Sequence, residues 1–208
     1  MEKKNKKIIS GFLGAVSFSL IALLVLTFGY WIAEPNIVGA AVATDDVNVN
    51  LNVAATISIN HPTDVSMSPD ITGTGSSTGS TIWTVTTNNS SGWKLEVETD
   101  QANTMHSGSD VFTDYTEGTP GTPESWSIAN TDSEFGFGAT GSYIETKFVG
   151  ADKYMGFNST TKEQVSHSAA ETAGDDTTVI FKAEVGSTKL QPTGSYSAKV
   201  TATATTLP

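Results

Sequence analysis

The chain of 208 residues contains no cysteine, no arginine and only three histidines. Without disulfides, an exported domain depends on its core, on a metal ion or on assembly. His61, His106 and His167 match no metal-binding spacing, so we interpret each as a solvated loop residue. No histidine lies in a recognisable catalytic-triad context. The sequence therefore predicts a protein that is not an enzyme and needs no cofactor.

The balance of charge is strongly acidic. The net charge is −11, and all basic residues are lysines. Residues 1–43 contain four lysines and two glutamates, so residues 44–208 carry a net charge of −13. Such a surface repels phosphate, which excludes a nucleic-acid partner, and it keeps separate surface proteins apart in solution.

The first 43 residues have the features of an export segment. Four lysines within the first seven residues precede Ile8–Ala33, 26 residues without charge. This run is long enough to span a membrane, yet Ala41-Val42-Ala43 is a signal-cleavage pattern. We favour cleavage and an extracellular or cell-surface protein beginning at Thr44. The alternative is an uncleaved anchor that contacts the membrane only through residues 8–33.

The strongest structural pattern lies between Ser80 and Asp100. Apolar residues alternate with polar ones on both sides of Asn88–Gly92, which is typical of half-buried strands and a turn. The sequence predicts a β-hairpin in which Thr87 is opposite Trp93 and Trp83 is opposite Val97. With two later strands, this pattern gives the predicted core: Trp83, Val85, Trp93, Leu95, Val97, Phe181, Tyr196 and Val200.

Three further segments alternate in the same way. Val47–Val53 has four apolar residues separated by asparagines, Thr177–Val185 is a second strand, and residues 195–204 are a third. No helix is predicted after residue 43. We therefore expect an all-β fold, an antiparallel β-sandwich (Ig-like or WxL-like), with residues 44–208 as one domain behind the N-terminal helix.

The pattern is weaker in the middle of the chain. Residues 101–176 are rich in Gly, Ser, Thr and Asp with interspersed aromatics, which favours long loops with short strands. We predict those strands near Ser125–Ala129, Glu134–Gly138 and Tyr143–Phe148. Gly73–Ser80 is predicted to be a flexible loop and Lys162–Ala173 a weak helical turn.

Two short motifs resemble a known family. Gly92-Trp93-Lys94-Leu95 contains a Trp-x-Leu, and the C-terminal stretch Pro192–Pro208 is similar to the Gly-x-Tyr terminal strand of WxL-type surface domains. The final strand has no second Trp-x-Leu. The resemblance implies an exported β-sandwich at the cell surface, with cell-wall glycan as a non-covalent partner.

Two candidate sites follow from residue type. The acidic pairs Asp45-Asp46 and Asp175-Asp176 could bind Ca²⁺, although solvated turn acids are the commoner explanation. Trp126 and Tyr143 could form a sugar-stacking platform, and the alternative is that they fill the core under long loops.

The leading functional hypothesis is an exported non-catalytic structural or adhesive surface protein, such as a fibre or coat subunit. Its partners would be other surface proteins or further copies of itself, through strand addition by Val47–Val53. We favour pairing within its own domain, because a tethered strand has a high effective concentration. The alternatives are a secreted glycan-binding or cell-wall-binding module and a secreted hydrolase.

Overall fold

A computed structural model describes Gly39 and residues 41–208. The predicted export helix, Ile8–Ala33, lies outside the described residues. The chain divides into two compact units, Met1–Leu51 and Asn52–Pro208. The second unit contains a 3-10 helix, Thr146–Phe148, and these strands: β1 (Ile57–Ile59), β2 (Gly75–Thr87), β3 (Trp93–Thr99), β4 (Met105–Ser107), β5 (Asp110–Asp114), β6 (Glu124–Ser125), β7 (Ser133–Gly141), β8 (Lys153–Tyr154), β9 (Glu163–Ser168), β10 (Thr172–Val185) and β11 (Val200–Thr206).

The fold is all-β, as the sequence predicted, since the described residues contain no α-helix. The largest sheet has six strands in the order β1-β2-β10-β7-β5-β4, and a second sheet has the order β11-β3-β9. Strands β6 and β8 form a separate pair. Neighbouring strands are antiparallel except β5 and β7, which run parallel.

The core is a single cluster to which both larger sheets contribute. Trp83 and Val85 come from the six-stranded sheet, while Trp93, Leu95 and Val97 come from the three-stranded one. Stacked phenylalanines fill its centre, with ring centroids 4.4–6.5 Å apart (Phe135, Phe137, Phe157 and Phe181). Of the eight predicted core residues, six are buried, while Tyr196 and Val200 are half-buried.

The predicted hairpin is wrong, although its inward-facing residues are the buried ones. Strand β2 pairs with β1 and β10, whereas β3 pairs with β9 and β11, so Asn88–Gly92 carries the chain from one sheet to the other. Asn89 holds this crossing because its side-chain amide donates to the carbonyls of Gly92 (2.8 Å) and Leu207 (2.7 Å). Side chains of a strand alternate between the inward and outward faces in the same way in a hairpin and in a crossing between sheets. The alternation in the sequence therefore does not distinguish the two arrangements.

Several predicted elements in the glycine-rich regions also differ. The predicted loop Gly73–Ser80 mostly belongs to β2, which begins at Gly75, and the predicted helical turn Lys162–Ala173 contains β9 and the start of β10. The strand predicted near Glu134–Gly138 is real and longer, whereas Tyr143–Phe148 ends in the 3-10 helix. Only Glu124–Ser125 is a strand near the predicted Ser125–Ala129.

Close backbone approach explains why glycine occurs inside β7. A β-carbon on Gly136 would lie 2.6 Å from the carbonyl oxygen of Met155, and one on Gly138 would collide with the carbonyl of Lys153. Between them, Phe137 and Met155 exchange two backbone hydrogen bonds of 2.8 and 2.9 Å. Glycine therefore permits the segment after β8 to pack directly on the sheet. Residues 101–176 contain the six strands β4 to β9, joined by stretches of up to eleven residues outside strands.

Candidate functional site

The predicted strand Val47–Val53 is outside any strand in the described structure. Its apolar side chains are strongly exposed: Val47 81%, Val49 90%, Leu51 89% and Val53 74%. The segment is therefore not a strand in this structure, and where it pairs stays a prediction. Four large apolar side chains on one side of an alternating segment are an unusual feature to leave in water, because burying each would contribute about 1.5–3 kcal/mol.

The C-terminal end of this segment is fixed to the folded domain. The Asn88 side-chain oxygen accepts a hydrogen bond from the Thr56 backbone N–H (2.7 Å), and its amide donates to the Ala54 carbonyl (3.1 Å). Strand β1 follows at once and pairs with the end of β2, where Ile57 is opposite Thr87. The exposed segment is thus joined to the domain through an ordered connection.

The second feature is the outer edge of β11, Val200–Thr206. Its inner edge pairs with β3, and just beyond it the Leu207 N–H donates to the Gly92 carbonyl (3.0 Å). In an antiparallel pair, alternate residues direct their backbone groups toward the partner strand. The N–H and C=O groups of the other set (Val200, Ala202, Ala204 and Thr206) therefore point away from β3, and among the described residues no backbone group pairs with them.

Other edges of the two sheets are covered by neighbouring chain. Glu145 N–H donates to Val165 (2.9 Å) and His167 N–H to Tyr143 (2.9 Å), which covers β9. His106 and Ser197 exchange two bonds of 3.0 Å, which covers β4. In the described structure, no such segment covers the edge of β11, seven residues long, or that of β1, three residues long. An uncovered edge of this length is a template for pairing with another strand.

The part of the core beside this edge is only half-buried. Strand β1 lies next to β11, and the apolar side chains here are only half-buried, although those deeper in the cluster are fully buried. These half-buried residues are Ile57, Ile59, Val200, Ala202 and Ala204. Two of the inward residues of β11, Ala202 and Ala204, have small side chains.

Both features lack charge in a strongly acidic chain. Residues 47–60 and 200–208 contain no Asp, Glu, Lys or His. Charged residues beside β11 are paired with each other: Lys94 with Glu96 (2.8 Å), Lys162 with Glu98 (3.1 Å) and Lys199 with Asp100 (3.6 Å). Residues 47–53 and 200–206 of two copies can therefore approach without a carboxylate on either segment, and the nearest acids before the first segment are Asp45 and Asp46.

The proposed sugar-stacking residues occupy different surroundings. Trp126 is half-buried and stacks on Tyr115 (4.3 Å between centroids), while its Nε1 donates to Glu184 (2.8 Å). The Lys182 ammonium lies 5.1 Å from the Trp126 ring centroid, which occupies a further part of this aromatic surface. Tyr143 is 44% exposed and contacts Trp93 edge-on at 6.3 Å. The chain's own side chains thus take up the stacking surface of Trp126.

Burial around Trp126 also changes the acidity of its neighbours. Burial raises the pKa of Tyr115 to about 12, and the charges of Glu124 and Glu134 act in the same direction. Burial likewise raises the pKa of Glu134, although the Thr116 N–H that it accepts from (3.2 Å) opposes the shift. These shifts follow from desolvation, and the groups involved are stacked or hydrogen-bonded within the domain.

The calcium candidates do not form a recognisable site. Asp176 accepts a hydrogen bond from the Thr84 hydroxyl (2.6 Å), and Asp45 and Asp46 are exposed. Within the described part of the chain, no three acidic or histidine residues are grouped closely enough to hold a metal ion. No helix in this part is long and apolar enough to cross a membrane.

Comparisons with known proteins add no family. No protein-family model, no curated protein and no solved structure matches this chain. The β11 edge was not singled out in the sequence, where residues 195–204 predicted only an alternating strand. The sequence did contain a signal for this surface. The inward face of the last strand is mostly alanine, which indicates that larger side chains from another segment pack against it.

Proposed function

We propose that this chain is an exported, non-catalytic structural subunit of a cell-surface fibre or coat. Its folded part is a β-sandwich, Ig-like or WxL-like, and residues 1–43 are its export signal or anchor. The sharing of one core by the two larger sheets supports the sandwich. When subunits associate by strand addition, backbone hydrogen bonds provide the affinity and the alternating side chains provide the specificity.

One observation carries the proposal: Val47–Val53 alternates cleanly between apolar residues and asparagines, yet its apolar residues are 74–90% exposed. In a protein that remains a monomer, such a segment is an aggregation hazard. In a subunit, it is the part that pairs with another chain. The absence of charge between residues 47 and 60 fits a segment that is buried on assembly.

The test compares two double variants with the same change in charge on opposite sides of the segment. Val49→Lys with Leu51→Lys changes the apolar side, and Asn48→Lys with Asn50→Lys changes the polar side. Assembly of the full chain, recovered from producing cells, is measured by sedimentation and electron microscopy. Losing two buried aliphatic side chains should weaken association by about 100-fold or more, while the asparagine variant should still assemble.

All four positions are exposed, so neither variant should alter the thermal unfolding of the domain. Equal assembly by both variants would contradict the proposal. So would a native chain that stays monomeric at high concentration.

A further inference from the structure

We infer that the outer edge of β11 (Val200–Thr206) is the acceptor for segment Val47–Val53 of a second copy of the chain. This inference rests on the proposed function and names the surface at which subunits join. The donor and the acceptor are different parts of the chain, so each subunit can give one strand and receive another. Contacts of this head-to-tail kind continue indefinitely and yield a filament unless they close into a ring.

The backbone groups match in number. The donor segment and β11 each contain seven residues. Four β11 residues direct N–H and C=O groups outward, and they have no backbone partner among the described residues. A seven-residue strand laid along this edge would pair with all of them, which extends the three-stranded sheet to four strands.

The side chains match in size. If the asparagines face water, the apolar side of the donor faces the core, beside Ala202 and Ala204. There its valines and leucine would cover the half-buried Ile57 and Ile59 of β1. Small residues on β11 and large ones on the donor are complementary, because a packed core leaves no room for two bulky sets. A donor added to β1 instead would find only three residues to pair with.

The experiment below distinguishes pairing between copies from pairing within one chain. Asn88 binds both Ala54 and Thr56, and this clamp fixes the chain just before β1. A donor from another copy reaches the β11 edge with the clamp intact.

The experiment uses engineered cysteines, since the native chain has none. One set of full chains carries a single donor cysteine: Asn48→Cys, Asn50→Cys or Asn52→Cys. A differently tagged set carries a single acceptor cysteine: Thr203→Cys on β11, Ser58→Cys on β1 or Thr86→Cys as the control. Thr86 is an exposed threonine inside the six-stranded sheet, flanked by β1 and β10.

Each donor is mixed with each acceptor under mild oxidation, and disulfide-linked heterodimers are counted by non-reducing electrophoresis and mass spectrometry. Because each chain has one cysteine, every heterodimer is intermolecular. Adjacent strands bring paired β-carbons to about 4–5.5 Å, within reach of a disulfide after small adjustment. At least one donor should therefore link to Thr203→Cys roughly tenfold faster than to Thr86→Cys, as expected for effective concentrations raised by docking.

Any of the following outcomes would overturn the inference. Linkage chiefly to Ser58→Cys would place the donor on β1, and equal linkage to all acceptors would mean that no edge is preferred. Chains that assemble by sedimentation without enrichment at Thr203→Cys would refute the acceptor while leaving the proposed function in place. If the chains neither assemble nor cross-link, the proposed function fails as well. A linked double variant, Asn50→Cys with Thr203→Cys, that yields only cyclised monomer would show pairing within one chain.

Discussion

Trp93 provides the sharpest test of how the two sheets share their core. The side chain is fully buried at the start of β3 and contacts Tyr143 edge-on. Removing it by Trp93→Ala should cost about 3–5 kcal/mol of unfolding free energy, through lost transfer energy and the cavity left behind. The adjacent Lys94 points to the other side of the strand, where its ammonium lies 2.8 Å from Glu96. Because both groups remain partly exposed, Lys94→Ala should cost less than about 1 kcal/mol.

A third variant uses an unusual property of this tryptophan. Its Nε1–H is buried and has no hydrogen-bond partner in the described part of the chain. Leaving such a donor unsatisfied costs about 1–3 kcal/mol. The native tryptophan therefore stabilises the fold less than its buried apolar area alone suggests. Trp93→Phe loses some packing but removes this donor and keeps an aromatic edge for Tyr143. The two effects offset each other, and we expect a loss of no more than about 1.5 kcal/mol.

Urea unfolding followed by circular dichroism measures all three variants on non-assembled protein. Equal losses for Trp93→Ala and Lys94→Ala would refute the assignment of the two faces of β3. A Trp93→Phe loss as large as that of Trp93→Ala would show instead that the indole is well satisfied and that its buried donor has a partner. If the slope of unfolding free energy against urea concentration is the same for all variants, the surface exposed on unfolding is the same in each case.

Two further predictions concern a turn and a titrating group. Gly92→Ala should cost more than about 2 kcal/mol of unfolding free energy, because Gly92 has φ +97° and an added β-carbon would collide with the Ser168 carbonyl. Gly121→Ala is the control: Gly121 has φ +76° but open space around it, so the variant should cost about 1–2 kcal/mol. If thermal unfolding gives similar losses for both variants, the crossing at Gly92 is contradicted. Burial raises the pKa of Glu134 above its unfolded value, so the folded state holds the proton more tightly and stability falls as the pH rises through that range. Glu134→Gln should therefore raise the Tm at pH 7, with the gain disappearing below about pH 4; a gain independent of pH would refute the electrostatic explanation.

The sequence by itself determined which side chains face inward. Alternation at Trp83 and Val85, and again at Trp93, Leu95 and Val97, predicted the buried residues because a strand presents successive side chains to opposite faces whatever its partner is. It also predicted an all-β fold, and it marked Val47–Val53 as a segment able to pair.

Only the tertiary structure decided which strands pair. Asn88–Gly92 is long enough for a hairpin or for a crossing, and the crossing is stabilised by Asn89 bonding to Leu207, 118 residues away in sequence. The glycine-rich residues 75–80 form a strand because β10 supplies a partner along their whole length. Strand partners depend on such distant contacts, which alternation does not encode. For the same reason the alternation at residues 47–53 predicted a strand without indicating its partner, and the unpaired edge of β11 became visible only in the folded structure.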